Sequence, residues 1–134
     1  MGTQYIDWDT SWTTTAIASS AITTGNGSGT DITAAISLDL KVACLVGVEA
    51  VYASGTVTGG IKVYILSDVH GTYEDELDFP ARVYQMPGGS GATYNRTFAI
   101  PATDYDDFKV FIENDTGVTV TTTVDYKTAV VTTV

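Results

Sequence analysis

The sequence predicts an all-β protein, a single antiparallel β-sandwich of the jelly-roll-like type, and three observations support this prediction. Thr and Val are abundant in the 134 residues, and good helix formers never gather at the spacing of an amphipathic helix. Several segments alternate apolar and polar residues with a period of two, as half-buried strands do. About eight such segments can be drawn, which is the strand number of a jelly roll. An immunoglobulin-like sandwich is the alternative, because it has the same strands in a different order.

Chain length predicts one domain spanning residues 1–134. A chain of this size buries roughly two-thirds of its unfolded surface and needs no cross-link or metal to sustain a core. Residues 1–30 form either part of this domain or an extended N-terminal arm.

The strands of the first half are predicted from apolar spacing. An extended stretch is expected around residues 12–18, followed by a strand whose Ile32, Ile36, Leu38 and Leu40 share one face. A long strand is expected over residues 43–54, with a bulge at Gly47.

In the second half of the chain, the predicted strands show clearer patterns of apolar and polar residues. Residues 61–67 are apolar on both faces, which predicts a strand covered on both sides. Residues 108–113 read as a half-buried strand with Phe108, Val110 and Ile112 pointing inward. Two further strands are expected over residues 82–86 and 94–100.

The turn formers of residues 114–117, Asn-Asp-Thr-Gly, predict a β-hairpin between residues 108–113 and 118–128. In the second strand, Val118, Val120, Val124 and Tyr126 lie on one face. The tail, residues 129–134, lacks charge and Pro and would be an aggregation hazard if left exposed. We therefore expect it to be paired, either within the fold or with another subunit.

The net charge of −10, from 6 Lys+Arg against 16 Asp+Glu, excludes whole classes of partner. Phosphate backbones and anionic lipids would repel the chain, so no nucleic-acid or membrane binding is expected. The N-terminal residues lack the basic start and apolar stretch of a signal peptide.

Catalytic chemistry is not expected, and the chain is interpreted as non-enzymatic, with no catalytic residue, cofactor or metal assigned. The single histidine, His70, has no nucleophile motif near it and is interpreted as a surface loop residue. The single cysteine, Cys44, lies in an apolar run and is expected to be a buried, inert thiol. A small hydrolase using paired carboxylates is the least favoured interpretation.

Calcium is the one metal that the acidic residues suggest, as an alternative to solvated charge, because carboxylates are its preferred ligands. The spacing does not match an EF-hand. The candidate ligands fall into two groups: Asp68, Glu74, Asp75, Glu76 and Asp78, and Asp104, Asp106 and Asp107.

Aromatic residues raise a second function class, carbohydrate binding, because exposed rings stack on sugars. The candidate platforms are Trp8, Trp12, Tyr73, Tyr84 and Tyr94. The competing interpretation is that one or both tryptophans plug the end of the sandwich.

Three segments together resemble small β-rich proteins from the structural gene clusters of tailed bacteriophages. They are residues 7–10 (DWDT), residues 60–75 (GIKVYILSDVHGTYED) and residues 108–117 (FKVFIENDTG) followed by a Thr/Val strand. Such proteins typically have a strand that ends in a D-G-T-x-Y-type loop and a late F-K-V strand that ends in an N-x-T/S-G turn. Here Val69 and His70 interrupt the Asp-Gly step.

The resemblance implies a virion structural protein made in the bacterial host cytoplasm, and specifically a capsid decoration or cement protein. It implies the major capsid protein or other virion proteins as partners, and self-association into a homo-oligomer. A tail or head-fibre adhesin, or a carbohydrate-binding module, is the alternative function.

Overall fold

The computed structural model describes residues 2–15, 20–22, 29–69, 72–73, 82–101 and 107–133. Within these ranges the chain is all strand and loop, with no helix. In chain order the strands are β1 (Gln4–Trp8), β2 (Thr13–Thr14), β3 (Ser20–Ile22), β4 (Gly29–Ile32), β5 (Ile36–Ser37), β6 (Ala43–Tyr52), β7 (Lys62–Val69), β8 (Thr72–Tyr73), β9 (Arg82–Gln85), β10 (Thr93–Ile100), β11 (Asp107–Asn114) and β12 (Val120–Thr133).

The strands form two antiparallel sheets packed face to face. The first has the order β1-β12-β6-β10, and β2 and β3 follow β1 along the same edge of β12. The second has β7 beside β11, with β4 and β5 on the far edge of β11 and β8 and β9 on the far edge of β7. The prediction of an antiparallel β-sandwich is confirmed.

Connectivity distinguishes the two predicted sandwiches. The chain passes from one sheet to the other between β3 and β4, β5 and β6, β6 and β7, β9 and β10, β10 and β11, and β11 and β12. In an immunoglobulin fold the last two strands lie in the same sheet, whereas β11 and β12 lie in opposite sheets. The arrangement is therefore jelly-roll-like.

The core lies between the sheets and is built by the inward-facing residues of five long strands. Val46, Val63, Ile65, Val110 and Val124 are fully buried, and each such side chain contributes about 1.5–3 kcal/mol through apolar burial. At one open side of the sandwich, the rings of Tyr84 on β9 and Phe98 on β10 lie 4.4 Å apart between centroids. This contact joins the edges of the two sheets.

Strand β7 is buried on both faces, as predicted. Ile65 faces the main core, while Tyr64 and Leu66, on the opposite face, are 7% and 0% exposed. Tyr64 packs edge-on against Phe111 with ring centroids 5.7 Å apart. The predicted inward residues of β11 are buried, but the outer face of β11 is more covered than expected, because Phe111 is buried too.

The predicted hairpin at residues 114–117 is wrong, because β11 and β12 belong to different sheets and do not pair. The segment is instead an arch across the core, organised by the buried side chain of Asn114. Its Nδ2 donates to the carbonyls of Ile22 (2.7 Å) and Val118 (2.8 Å), and its Oδ1 accepts from the Thr116 hydroxyl (2.6 Å) and, at 3.2 Å, the Thr116 backbone N–H. Gly117 completes the turn at φ 91°. The inward face predicted for β12 is confirmed.

The strand predicted through Ile32, Ile36, Leu38 and Leu40 is also wrong. The segment is broken into β4 and β5, both on β11, because Thr33 between them is buried and its hydroxyl accepts from the Val110 N–H at 2.9 Å. Ile36 and Leu38 are buried, but Ile32 is 39% and Leu40 87% exposed. Leu40 lies in a turn with φ 60°.

The tail is paired, as predicted. Residues 129–133 continue β12 and pair with β1, from Trp8↔Ala129 to Gln4↔Thr133. Strand β1 itself was not predicted, and the N-terminal strands follow the edge of β12 in three short pieces.

Candidate binding surface

The outer face of the first sheet, the face turned away from the core, carries the exposed features of most interest. Odd-numbered residues of β12 point to it, together with their neighbours Leu45, Gly47 and Glu49 on β6. The N-terminal chain runs along the edge of β12 and brings both tryptophans to this side. Two distinct features result, a ribbon at one end and a depression near the middle.

The first feature is the N-terminal ribbon, formed by β1 (Gln4–Trp8) and residues 129–133. No described strand pairs with the other edge of residues 130–133, since β6 begins opposite Ala129. On one face of the ribbon lie Ile6 (59% exposed), its cross-strand partner Val131 (51%) and Trp8 (37%). Every residue of β1 is exposed, so this strand is held by its backbone ladder and places apolar side chains in water.

Asp9 fastens the base of the ribbon to β12. Its Oδ2 accepts from the backbone N–H of Thr128 at 2.9 Å and from the Thr128 hydroxyl at 3.0 Å. The Thr128 N–H is the main reason that the pKa of Asp9 lies below its ordinary value, and the Thr128 hydroxyl, Lys41 and Lys127 act in the same direction. These bonds fix the position of the chain directly after β1 relative to β12.

The second feature is the Trp12 depression, a concavity of about 240 Å³ on the outer face. The benzo half of the Trp12 ring lies over Gly47, with Cζ3 at 3.4 Å from where a Cβ of residue 47 would stand. The Lys127 ammonium is 5.4 Å from the ring centroid. The lining residues are Trp12, Gly47, Val48, Glu49, Asn95, Arg96, Thr97, Thr123 and Asp125.

Gly47 has a different role from the one predicted. The register is continuous through it on both sides, with Thr97 and Asp125 as its neighbours, so the predicted bulge is wrong. A glycine here leaves room for the Trp12 ring, which crosses β12 to reach β6.

Polar groups surround this ring. Glu49, Asn95 and Thr97 are exposed at the rim, and they offer hydrogen-bond acceptors and donors. The Oδ1 of Asp125 is shielded from solvent and has no hydrogen-bond partner among the described residues. A carboxylate oxygen accepts hydrogen bonds, so Asp125 carries an acceptor atom that no described residue occupies.

The interpretation of the tryptophans as end plugs is wrong. Trp8 and Trp12 lie on the outer side of the first sheet and are 37% and 40% exposed. Among the other candidate stacking platforms, Tyr84 packs on Phe98 and Tyr94 on Tyr52 at 6.1 Å between centroids, and both are half-buried. The side chain of Tyr73 lies outside the described structure.

Most candidate metal and acid-base residues lie outside the described residues. His70, Glu74, Asp75, Glu76, Asp78, Asp104 and Asp106 are all in this position, as is the side chain of Asp68. Asp107, at the start of β11, is half-buried. In the ranges that the structure describes, no three His, Cys, Asp or Glu side chains come together in a way that could hold a metal ion.

Cys44 is buried, as predicted, and is a free thiol. Burial, with a smaller effect of Asp9, raises its pKa to about 12. Such a thiol is protonated at neutral pH and is not a nucleophile.

The residues that shape these two features were largely missed from the sequence. Ile6, Val131, Gly47, Asn95 and Asp125 come together only through the pairing of β12 with β1, β6 and of β6 with β10. The one local signal was the alternating segment Gln4–Trp8, whose aromatic and β-branched residues are typical of a strand.

Comparison with known proteins gives no family assignment. No protein-family model and no curated protein matches the chain. Among solved structures, the chain is similar to infectious bursal disease virus, Gx strain, over 95% of its length, with a TM-score of 0.47 and 11% identity. It is similar to the Gt strain of the same virus with a TM-score of 0.45 and 13% identity. The chain spans about a third (32%) of the length of each of those chains.

The described residues include no helix of the length and apolarity that crossing a membrane requires.

Proposed function

We propose that this chain is a non-enzymatic virion structural protein, a decoration or cement protein that binds the major capsid protein lattice of a tailed bacteriophage. Support comes from the resemblance carried by residues 7–10, 60–75 and 108–117. The jelly-roll-like sandwich, which presents strand edges and loops to neighbours, suits a protein added to a lattice.

The observation that carries the proposal is the exposed apolar face of the N-terminal ribbon. Ile6, Trp8 and Val131 leave apolar surface in water at one end of a chain that is otherwise strongly acidic. Contiguous exposed apolar surface on a soluble protein marks interaction sites. Tryptophan is also enriched among the residues that contribute most of the binding energy in protein interfaces.

The open edge of residues 130–133 adds a second means of attachment. The backbone groups on this edge, which no described strand pairs with, can accept a strand from a neighbouring subunit. In this proposal the ribbon contacts the capsid protein, a second copy of the chain, or both, and the native protein is a homo-oligomer on the particle.

The test is a binding assay with capsids of the encoding phage that lack this protein. We expect the purified chain to co-sediment with the capsids, and Ile6→Ser or Val131→Thr to weaken binding at least tenfold. Val83→Thr is the matched control, since Val83 is 46% exposed but lies on β9 in the other sheet. Failure of the wild-type chain to bind would contradict the role. Equal binding by all variants would contradict only the assignment of the ribbon.

A further inference from the structure

We propose that the Trp12 depression binds a neutral saccharide, with the Trp12 ring as the stacking platform. The inference is independent of the virion role. It rests on residues of the first sheet that the ribbon does not use.

The ring is both exposed and fixed in position. Trp12 is 40% exposed, while its benzo half is seated on Gly47, with Cζ3, Cη2 and Cε3 at 3.4, 3.6 and 3.8 Å from the ideal Cβ position. Lys127 lies 5.4 Å from the ring centroid. A ring that is already held in place loses little conformational entropy when a ligand stacks on it, so the cost of binding is low.

The groups around the ring are those that hydrogen-bond to sugar hydroxyls. Glu49 supplies a carboxylate, Asn95 an amide with both donors and acceptor, and Thr97 a hydroxyl. These three residues are exposed and lie on adjacent strands, since Asn95 pairs with Glu49 and Thr97 with Gly47. A sugar has both apolar C–H faces and hydroxyl groups, so it is the class of ligand that suits an aromatic surface bordered by such polar groups.

Asp125 gives a further reason for a hydroxyl-bearing ligand. It lines the depression, and its Oδ1 has no partner in the described part of the chain. Because Oδ1 is shielded from solvent in the free chain, a ligand hydroxyl can donate to it only if the Asp125 side chain turns toward the depression.

The charges that line the depression and its volume restrict the class of saccharide that can bind. Glu49 and Asp125 in the lining and the overall charge of −10 disfavour acidic sugars and nucleotides, despite Arg96 and Lys127 nearby. The volume of about 240 Å³ is below the about 300–1,000 Å³ of pockets that enclose drug-sized ligands. One neutral sugar residue, at the end of or within a chain, is the expected occupant.

The experiment screens neutral and acidic mono- and oligosaccharides on an array, followed by titration of the full chain by tryptophan fluorescence. The titration uses a Trp8→Phe background, which leaves Trp12 as the only tryptophan. We expect at least one neutral saccharide to bind and acidic ones not to bind. Trp12→Ala and Asn95→Ala, measured by calorimetry, should each weaken binding at least tenfold.

Trp8→Ala is the matched control, because Trp8 has nearly the same exposure but lies on the ribbon; it should leave saccharide binding unchanged. Asn95 is exposed on β10, so its variant decides the question if Trp12→Ala fails to fold. The proposal is overturned if no saccharide on the array binds, or if binding survives Asn95→Ala and Trp12→Ala. Loss of saccharide binding in Trp8→Ala would also overturn it. None of these outcomes bears on binding to capsids.

Discussion

Trp12 is seated on Gly47, with ring atom Cζ3 at 3.4 Å from the position that a Cβ of residue 47 would take. The pair joins the N-terminal edge of the first sheet to β6, on the far side of β12. Gly47 lies in the interior of a strand, where glycine ordinarily lowers stability. Its missing side chain leaves the space on the outer face of the sheet that the Trp12 ring occupies.

Substitutions at Gly47 should distinguish a side chain that only contacts the Trp12 ring from one that displaces it. We expect Gly47→Ala to keep the ring in place and to raise stability by up to about 1 kcal/mol, because a Cβ at this distance makes an ordinary contact and alanine has less entropy to lose. Gly47→Val should displace the ring and shift Trp12 emission to longer wavelength in the Trp8→Phe background. Unchanged emission in Gly47→Val would show that the ring does not depend on Gly47.

Asn114 should be among the most sensitive polar residues of the fold. Replacing it with Ala removes the donor to the carbonyls of Ile22 and Val118 and the acceptor for the hydroxyl and N–H of Thr116, all in a buried arch. We expect a loss of about 2–4 kcal/mol in the free energy of unfolding, measured by urea denaturation. The neighbouring exposed residue provides the control, and Asp115→Ala should change stability by less than about 0.5 kcal/mol. Equal effects at the two positions would contradict the role of the arch.

Acid should weaken the attachment of the ribbon through Asp9. Its folded-state pKa lies below the ordinary value of 3.8, chiefly because of the bond from the Thr128 N–H. The unfolded chain therefore binds the proton more readily, so this contribution to stability is complete above about pH 5 and is lost as the pH falls through the folded-state pKa. Asp9→Asn should flatten the acid limb of the stability curve, and Thr128→Val should flatten it partly. An acid limb identical to that of the wild type in Asp9→Asn would contradict this.

Cys44 should be unreactive in the folded protein. With a pKa of about 12 caused mainly by burial, about one molecule in 10,000 carries a thiolate at pH 8. We expect a disulfide reagent such as DTNB to modify Cys44 only at the rate of unfolding, and rapidly in urea. Fast, complete labelling of the native protein would show that β6 is accessible at this residue.

Features of the fold that depend on neighbouring residues could be predicted from the sequence, whereas those that depend on residues distant in the chain could not. Alternation identified the inward faces of β7, β11 and β12, because burial of one face imposes a period of two on the residues themselves. The turn residues 114–117 marked a chain reversal, but they do not encode which strand pairs with which. The hairpin prediction failed for that reason, since the bonds of Asn114 to Ile22 and Val118 route the chain to the opposite sheet.

The surface features were harder still to predict. Gly47 reads as a bulge when only its own strand is considered, and its role depends on a tryptophan 35 positions earlier in the chain. Ile6 and Val131 become one patch because the two ends of the chain pair. Leu40 fits the spacing of a strand, yet the backbone turns at that residue with a positive φ and leaves the side chain in water.

The most direct test of the proposed virion role is the copy number of this chain in purified particles of the phage that encodes it, measured by quantitative mass spectrometry against the major capsid protein. A decoration protein should be present at the copy number of the capsid protein or at a simple fraction of it. A few copies per particle would point instead to a tail or fibre component, and absence from the particles would contradict the virion role.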